Sequence, residues 1–195
     1  TAKKEWGITL PAENPCSMVS MPKVNNRREY ILTHKQYNNL INACSDYIKD
    51  FVVMLYETGA RYSELAELQH SNVDLYNRKL TFVDTKNGDD RTIPINERAL
   101  SILKRYRFGK TVFNIDYQKF YEHFCKARHS VELDYFHAHD LRACWCTNAI
   151  LSGMSLPEVS ALSGHKSWSM LRRYTRIKPE DLEEKVNKIV WIESK

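Results

Sequence analysis

The sequence predicts a mainly helical domain carrying one small antiparallel β-sheet, an α+β arrangement. Two patterns predict it. Apolar residues recur at three- and four-residue spacing through most of the chain after residue 33, whereas the stretch from Lys79 to Ile95 switches to strand-type patterning broken by a turn signal. The length of 195 residues suffices for one domain with a sizeable core, and 43% hydrophobic with 27% charged residues is ordinary for a globular chain. That composition excludes disordered, collagen-like and disulfide-scaffold classes.

Residues 1–28 lack periodicity, contain Pro11, Pro15 and Pro22, and hold the basic pairs Lys3-Lys4 and Arg27-Arg28. They read as a linker, with residues 29–195 as the domain, and the absence of an initiating Met suggests a C-terminal domain cut from a longer protein. Thr33-His34-Lys35-Gln36 has the spacing of a capping box, and Tyr37, Leu40, Ile41 and Cys44 follow at helical spacing. A second helix runs through Tyr47, Phe51, Met54 and Leu55 and stops at Gly59, a residue suited to a left-handed C-cap. Arg61 follows, and Ser63 to Leu68 restarts as a short helix. Leu80 to Val83 and Arg91 to Ile95, joined across Asn87-Gly88-Asp89-Asp90, predict a hairpin with a long turn. Pro94 cannot donate to a ladder, so its strand belongs at an edge. Asn96 caps the next helix, Glu97 to Tyr106, and helical patterning continues over Tyr117 to Arg128, His139 to Leu151, Leu156 to Leu162, Met170 to Tyr174 and Pro179 to Ile192.

The 29 Lys and Arg exceed the 24 Asp and Glu, a formal charge of +5 that suits an anionic partner. The longest apolar run, near Phe51 to Tyr56, is far short of the roughly 20 residues a membrane span needs. The opening Thr1-Ala2-Lys3-Lys4-Glu5-Trp6 has no signal-peptide character, so the expected compartment is the cytoplasm. Cys16, Cys44, Cys125, Cys144 and Cys146 are scattered and read as reduced thiols; neither Cys144-Trp145-Cys146 nor His137-Ala138-His139 has further ligands at metal-site spacing, and no metal is expected. Trp145, Trp168 and Met170 read as packing residues.

Six polar positions demand explanation: Arg61 after a helix stop, Lys86 before a turn, His139 and Arg142 three apart on a helix, His165 after Gly164, and Tyr174. Residues at i and i+3 share a helix face, so His139 and Arg142 can approach one anion. Two guanidiniums and a lysine together suit a phosphate, since Arg offers a planar fork of donors and Lys a movable charge that can also give up a proton. Taken singly, each is as well explained as a solvated cation, a hydrogen-bonded helix His or a core aromatic.

Their order and context go further. Thr58-Gly59-Ala60-Arg61-Tyr62-Ser63-Glu64-Leu65, Thr85-Lys86-Asn87-Gly88, His139-Asp140-Leu141-Arg142, Ser163-Gly164-His165-Lys166-Ser167 and Arg173-Tyr174 together resemble the catalytic domain of the tyrosine recombinases, the phage integrase family. The resemblance spans about residues 30 to 185. It implies the catalytic-domain fold of that family, and site-specific DNA recombination for integration or excision of a phage or mobile element, without a cofactor. Residues 1–28 resemble the linker to the family's N-terminal core-binding domain.

Placed residue by residue, the resemblance makes Tyr174 the nucleophile that forms a 3′-phosphotyrosyl bond and frees a 5′ hydroxyl. Arg61 and Arg142 would hold the nonbridging oxygens, Lys86 would protonate the departing 5′ oxygen, His139 would assist proton transfer at the tyrosine, and His165 would hydrogen-bond the phosphate. Glu64 matches an acidic position that supports the site from behind; its alternative is a solvated helix carboxylate. Lys3, Lys4, Arg27, Arg28, Lys166, Arg172, Arg173 and Arg176 are candidates for contacts with the backbone of double-stranded DNA. Leu182, Val186, Ile189 and Val190 form an apolar stripe that packs either on its own domain or, as the resemblance implies, on a neighbouring protomer in a homotetramer on DNA, with accessory DNA-bending proteins as further partners.

Ala143-Cys144-Trp145 and Arg176 depart from the family's usual residues and point to a divergent branch. A type IB topoisomerase shares the Arg, Lys, His and Tyr chemistry, and a non-catalytic DNA-binding regulator could keep the fold. The small domain and Ser163-Gly164-His165 favour the recombinase.

Overall fold

The computed structural model describes residues 2–7, 19–20, 31–83, 90–167, 171 and 186–187. After a single turn, α1 (Ala2–Glu5), the first long helix is α2 (His34–Ala43), and its start follows from the sequence. The Thr33 hydroxyl accepts the Gln36 backbone N–H at 3.2 Å while the Gln36 side chain accepts the Thr33 N–H at 3.0 Å, closing the capping box. Helix α3 (Asp46–Thr58) carries most of the core on Ile48, Phe51, Val52, Val53, Met54 and Leu55, and Gly59 ends it with φ of 61°. Helix α4 (Tyr62–Ala66) follows after Gly59, Ala60 and Arg61.

Three short strands come next, β1 (Val73–Asp74), β2 (Lys79–Phe82) and β3 (Arg91–Pro94), paired antiparallel in the order β1-β2-β3. The register Leu80↔Ile93 and Phe82↔Arg91 puts Leu80, Phe82, Arg91 and Ile93 on the buried face. Pro94 sits on the edge strand, as its missing donor requires. Strand β1 was not foreseen; two residues are too few to show a period, and an Asx turn, with the Asn77 N–H on Asp74 Oδ1 at 2.8 Å, brings them back onto β2.

Helices α5 (Glu97–Leu103), α6 (Tyr117–Ser130), α7 (Ala138–Leu151) and α8 (Leu156–Ser163) complete the described fold. Helix α5 ends three residues before the Tyr106 that periodicity suggested. Arg105 and Tyr106 instead send their side chains to Asp50 of α3, at 2.6 and 3.1 Å, and the backbone tightens into a turn. Tyr47 is likewise no core residue: it is exposed, its hydroxyl accepts the Asp116 N–H at 3.0 Å, and its ring lies against His123.

Helix α3 is the axle. It packs against α2, α4, α5, α6 and α7, while α8 bridges α7 and β3. Phe51 meets Tyr62, Phe113 and Phe120 edge-on at 5.2 to 5.5 Å, the geometry aromatic quadrupoles favour. Leu32 donates its N–H to Cys144 Sγ at 3.4 Å, fastening the chain before α2 to α7. Cys44, Cys125, Cys144 and Cys146 are free, and burial pushes the Cys44 thiol up to about 12. Among the described residues no helix is long and apolar enough to cross a membrane. The expected helices over Met170 to Tyr174 and Pro179 to Ile192 lie outside the described residues, as do Trp168 and Met170.

Phe51→Ala leaves a cavity under three rings and is expected to cost about 3–5 kcal/mol in urea unfolding.

Candidate active site

Arg142 lies in the second turn of α7, and only 2% of it is exposed. Among the described residues, no carboxylate bonds it directly. Its Nη1 donates to Gly59 O at 2.7 Å and its Nη2 to Ser163 O at 2.5 Å, so two main-chain dipoles take the place of a counter-ion. Burial lowers its pKa to about 10, with the nearby Arg61 charge adding to the effect, which still leaves it protonated at neutral pH.

Arg61 is the N-cap residue of α4, reached directly from the α3 stop. One end of its guanidinium donates to Glu64 Oε1 at 2.5 Å and the other to Gly164 O at 3.2 Å. Arg61 and Arg142 therefore bind two successive carbonyls, those of Gly164 and Ser163, at the C-terminus of α8. That end carries unpaired carbonyls and the negative pole of the helix, which favours cations.

Glu64 is not the solvated carboxylate that the sequence left open: its side chain is 4% exposed. Four donors saturate it. Oε1 accepts from Arg61 Nη1 and from Arg91 Nη1 at 3.1 Å, and Oε2 from the Arg61 backbone N–H at 2.8 Å and Arg91 Nη2 at 2.9 Å. Burial alone would raise its pKa, but the hydrogen bonds from Arg91 and Arg61 overcome that and hold it at about 2. Arg91 was missed by the sequence reading. The signal was present: Arg91, Ile93 and Ile95 share one phase of the strand, so a charge occupies a core-facing position. The Arg91 guanidinium also lies 4.9 Å from the centre of the Phe82 ring.

Two glycines make room for this packing. A Cβ on Gly59 would stand 2.6 Å from the Trp145 ring, and one on Gly164, where φ is 72°, would stand 2.4 Å from Arg91 Nη1. Trp145 is thus half-buried, with its ring against the Gly59 backbone.

His165 is buried beside Arg142, its Nδ1 3.2 Å from Arg142 Nη2. Ser163 Oγ donates to Val159 O at 2.5 Å and lies 2.6 Å from His165 Nδ1, the ring nitrogen that also faces Arg142 Nη2. His139 is exposed on the first turn of α7, whose N-cap His137 donates its N–H to Asp140 Oδ2 at 2.7 Å. Lys4 and Lys166 are exposed. Lys3 lies in α1. Lys86, Tyr174, Arg27, Arg28, Arg172, Arg173 and Arg176 lie outside the described residues, as do Leu182, Ile189 and Val190 of the C-terminal stripe. Among the described residues, no group of three or more His, Cys, Asp and Glu side chains is placed to hold a metal ion.

The structure thus brings together Arg61, Glu64, Arg142 and His165, and adds Arg91. Arg61 and Arg91 share the Glu64 carboxylate and Arg142 stands beside them on main-chain carbonyls, a local surplus of two positive charges among the described residues. Such a surplus in a partly dry setting attracts an anion strongly.

The sequence profile of the phage integrase family matches residues 30–181. A shufflon-specific DNA recombinase of Escherichia coli is 30% identical over 95% of this chain, and the chain spans 50% of that protein's length. Among solved structures, the catalytic domain of bacteriophage HP1 integrase superposes with a TM-score of 0.67 at 24% identity, covering 83% of this chain and 95% of that one. A Tn1549 transposon integrase in complex with a circular intermediate DNA gives a TM-score of 0.69 at 19% identity, covering 86% of this chain and 68% of that one. At those identities the two structures speak for the fold.

Glu64 titrates near 2 when folded and near the ordinary 4.5 when unfolded, so its stabilising share is complete above about pH 4.5 and disappears as the pH falls toward 2. That share is on the order of 3 kcal/mol. In urea unfolding series at falling pH, Glu64→Gln should be less stable at neutral pH and show a shallower acid loss than the parent; parallel curves would rule the carboxylate out as the cause. Gly59→Ala should cost about 1–3 kcal/mol, because the strained backbone and the Trp145 clash act together.

Proposed function

This chain belongs to the phage integrase family, and from that premise we propose that it is the catalytic unit of a site-specific DNA recombinase acting through a 3′-phosphotyrosyl intermediate. One observation supports the reading above the others: Arg61 and Arg142, 81 positions apart in the sequence, are fixed on two neighbouring carbonyls with a charge surplus of two around them. A pair of forks held in this way suits the nonbridging oxygens of a phosphodiester and the extra charge of its pentacoordinate transition state.

In this reading Tyr174 attacks the scissile phosphorus. Its oxygen forms a bond to phosphorus as the bond to the 5′ oxygen breaks, and Lys86 supplies the proton that the departing 5′ oxygen needs. His139 assists proton transfer at the tyrosine. His165, buried beside Arg142 and Ser163, would hydrogen-bond the phosphate. The phosphotyrosyl bond stores the energy of the broken linkage, so a different 5′ hydroxyl can attack and complete strand exchange without a cofactor. Glu64 touches no substrate and anchors Arg61.

Lys3, Lys4, Arg27, Arg28, Lys166, Arg172, Arg173 and Arg176 would contact the DNA backbone and give salt-dependent affinity. We extend the proposal to residues 1–28 as a linker, to a homotetramer on DNA joined through the C-terminal apolar stripe, and to excision or integration of a mobile element as the setting.

The test is trapping on a pool of nicked duplexes with randomised cores, in EDTA, with the protein at its full natural length as well as these 195 residues. A covalent protein–DNA adduct, lost in Tyr174→Phe and reduced at least about 100-fold in Arg142→Ala, is expected. No adduct despite DNA binding would overturn the catalytic reading, and supercoil relaxation without strand transfer would move the chain toward the type IB topoisomerases.

A further inference from the structure

We propose that Arg91 is a positioning residue for DNA cleavage, acting through Glu64 to hold the Arg61 guanidinium in place against the scissile phosphate; the inference rests on the recombinase reading above.

The geometry is that of a relay. Each Glu64 oxygen takes one hydrogen bond from Arg91 and one from Arg61, so Arg91 supplies half of the donors that fix the carboxylate. The carboxylate in turn holds one end of the Arg61 guanidinium, whose other end reaches Gly164 O. With Arg91 removed, Glu64 would lose one partner at each oxygen and could rotate, taking Arg61 with it. Only the planar two-pronged fork of arginine can meet both oxygens at once, which a lysine cannot reproduce.

The position is expensive for a residue serving stability alone. Arg91 is 8% exposed, and its Nε is buried without a partner, a loss of about 1–3 kcal/mol. Its neighbours on the same face of the sheet are Leu80, Phe82 and Ile93, among which an apolar side chain would pack without that loss. Gly164 adds to the case, since any side chain there would collide with Arg91 Nη1. The turn that gives Arg61 its carbonyl is therefore the same turn that leaves space for Arg91, and the three groups are set by one piece of backbone.

The groups facing Glu64 are Arg61 on α4, Arg91 on β3 and, farther off, Arg142 on α7. His165, buried beside Arg142, faces the same cluster and is common to the parent and the variants, so a difference between them with pH is read at the Glu64 carboxylate, to which Arg91 donates. That provides a readout which loss of packing alone would not move.

The experiment measures single-turnover cleavage with saturating protein on a nicked duplex selected by the trapping above, for the parent, Arg91→Met, Glu64→Gln and the double variant, as a function of pH. DNA affinity is measured in parallel. Arg91→Met is expected to cleave roughly 10- to 100-fold more slowly with DNA affinity little changed. Its deficit should widen as the pH is lowered from about 7 to about 5, because Glu64, buried with half its donors, then takes up a proton more readily than in the parent. Placed on Glu64→Gln, the substitution should slow cleavage little further and show no such widening. Arg91→Lys, which keeps the charge but offers one contact, serves if Arg91→Met does not fold. Cleavage at the parental rate, a deficit equal at every pH and additive with Glu64→Gln, or failure of both variants to fold would each overturn the proposal. A parent that forms no adduct overturns the recombinase reading and this inference with it, whereas an active parent beside an unchanged Arg91→Met overturns this inference alone.

Discussion

A buried positive charge that, among the described residues, is bonded by no carboxylate sets the terms for this fold. Arg142 sits almost wholly out of water, and an unpaired guanidinium there would be ruinous unless its hydrogens found strong acceptors. They find them in Gly59 O and Ser163 O, one at the end of α3 and one at the end of α8. The helix ends must therefore arrive at α7 from two directions, and the contacts of α7 with both α3 and α8 deliver them. The aromatic packing around Phe51 holds α3 in that position, so the core and the charged cluster are parts of one arrangement.

The cluster also obeys an economy of counter-charge. A second carboxylate would cancel much of the local positive surplus. With Glu64 as the one carboxylate in the cluster among the described residues, saturated by four donors, Arg61 and Arg91 are oriented without being fully neutralised. Main-chain dipoles at the α8 terminus make up part of the difference, since they accept hydrogen bonds and contribute only fractional charge.

Much of this could be read from the residues in advance. The capping box at Thr33, the stop at Gly59, the edge placement of Pro94 and the boundaries of α6, α7 and α8 follow local rules that act within a few residues, and those rules are visible in a string. Arg61, Glu64, Arg142 and His165 were legible because they sit in short motifs whose order carries a resemblance. Three features were hidden for physical reasons. Strand β1 exists only because β2 offers it hydrogen bonds. Tyr106 has helical spacing, but Asp50, distant in sequence, draws it out of the helix. Arg91 stands 27 positions from the Glu64 it serves, and no local pattern links a strand residue to a helix carboxylate. The burial of Glu64 was undecidable from the sequence for the same cause, since its partner comes from β3.

Arg142 and one end of Arg61 are held by carbonyl oxygens, and a carbonyl oxygen is common to every residue type. Positional information in this site therefore resides largely in the path of the main chain, with Gly59 and Gly164 as the points where the absence of a side chain is itself required. What the carbonyls of Gly59, Ser163 and Gly164 specify is thus a route through space rather than a spelling.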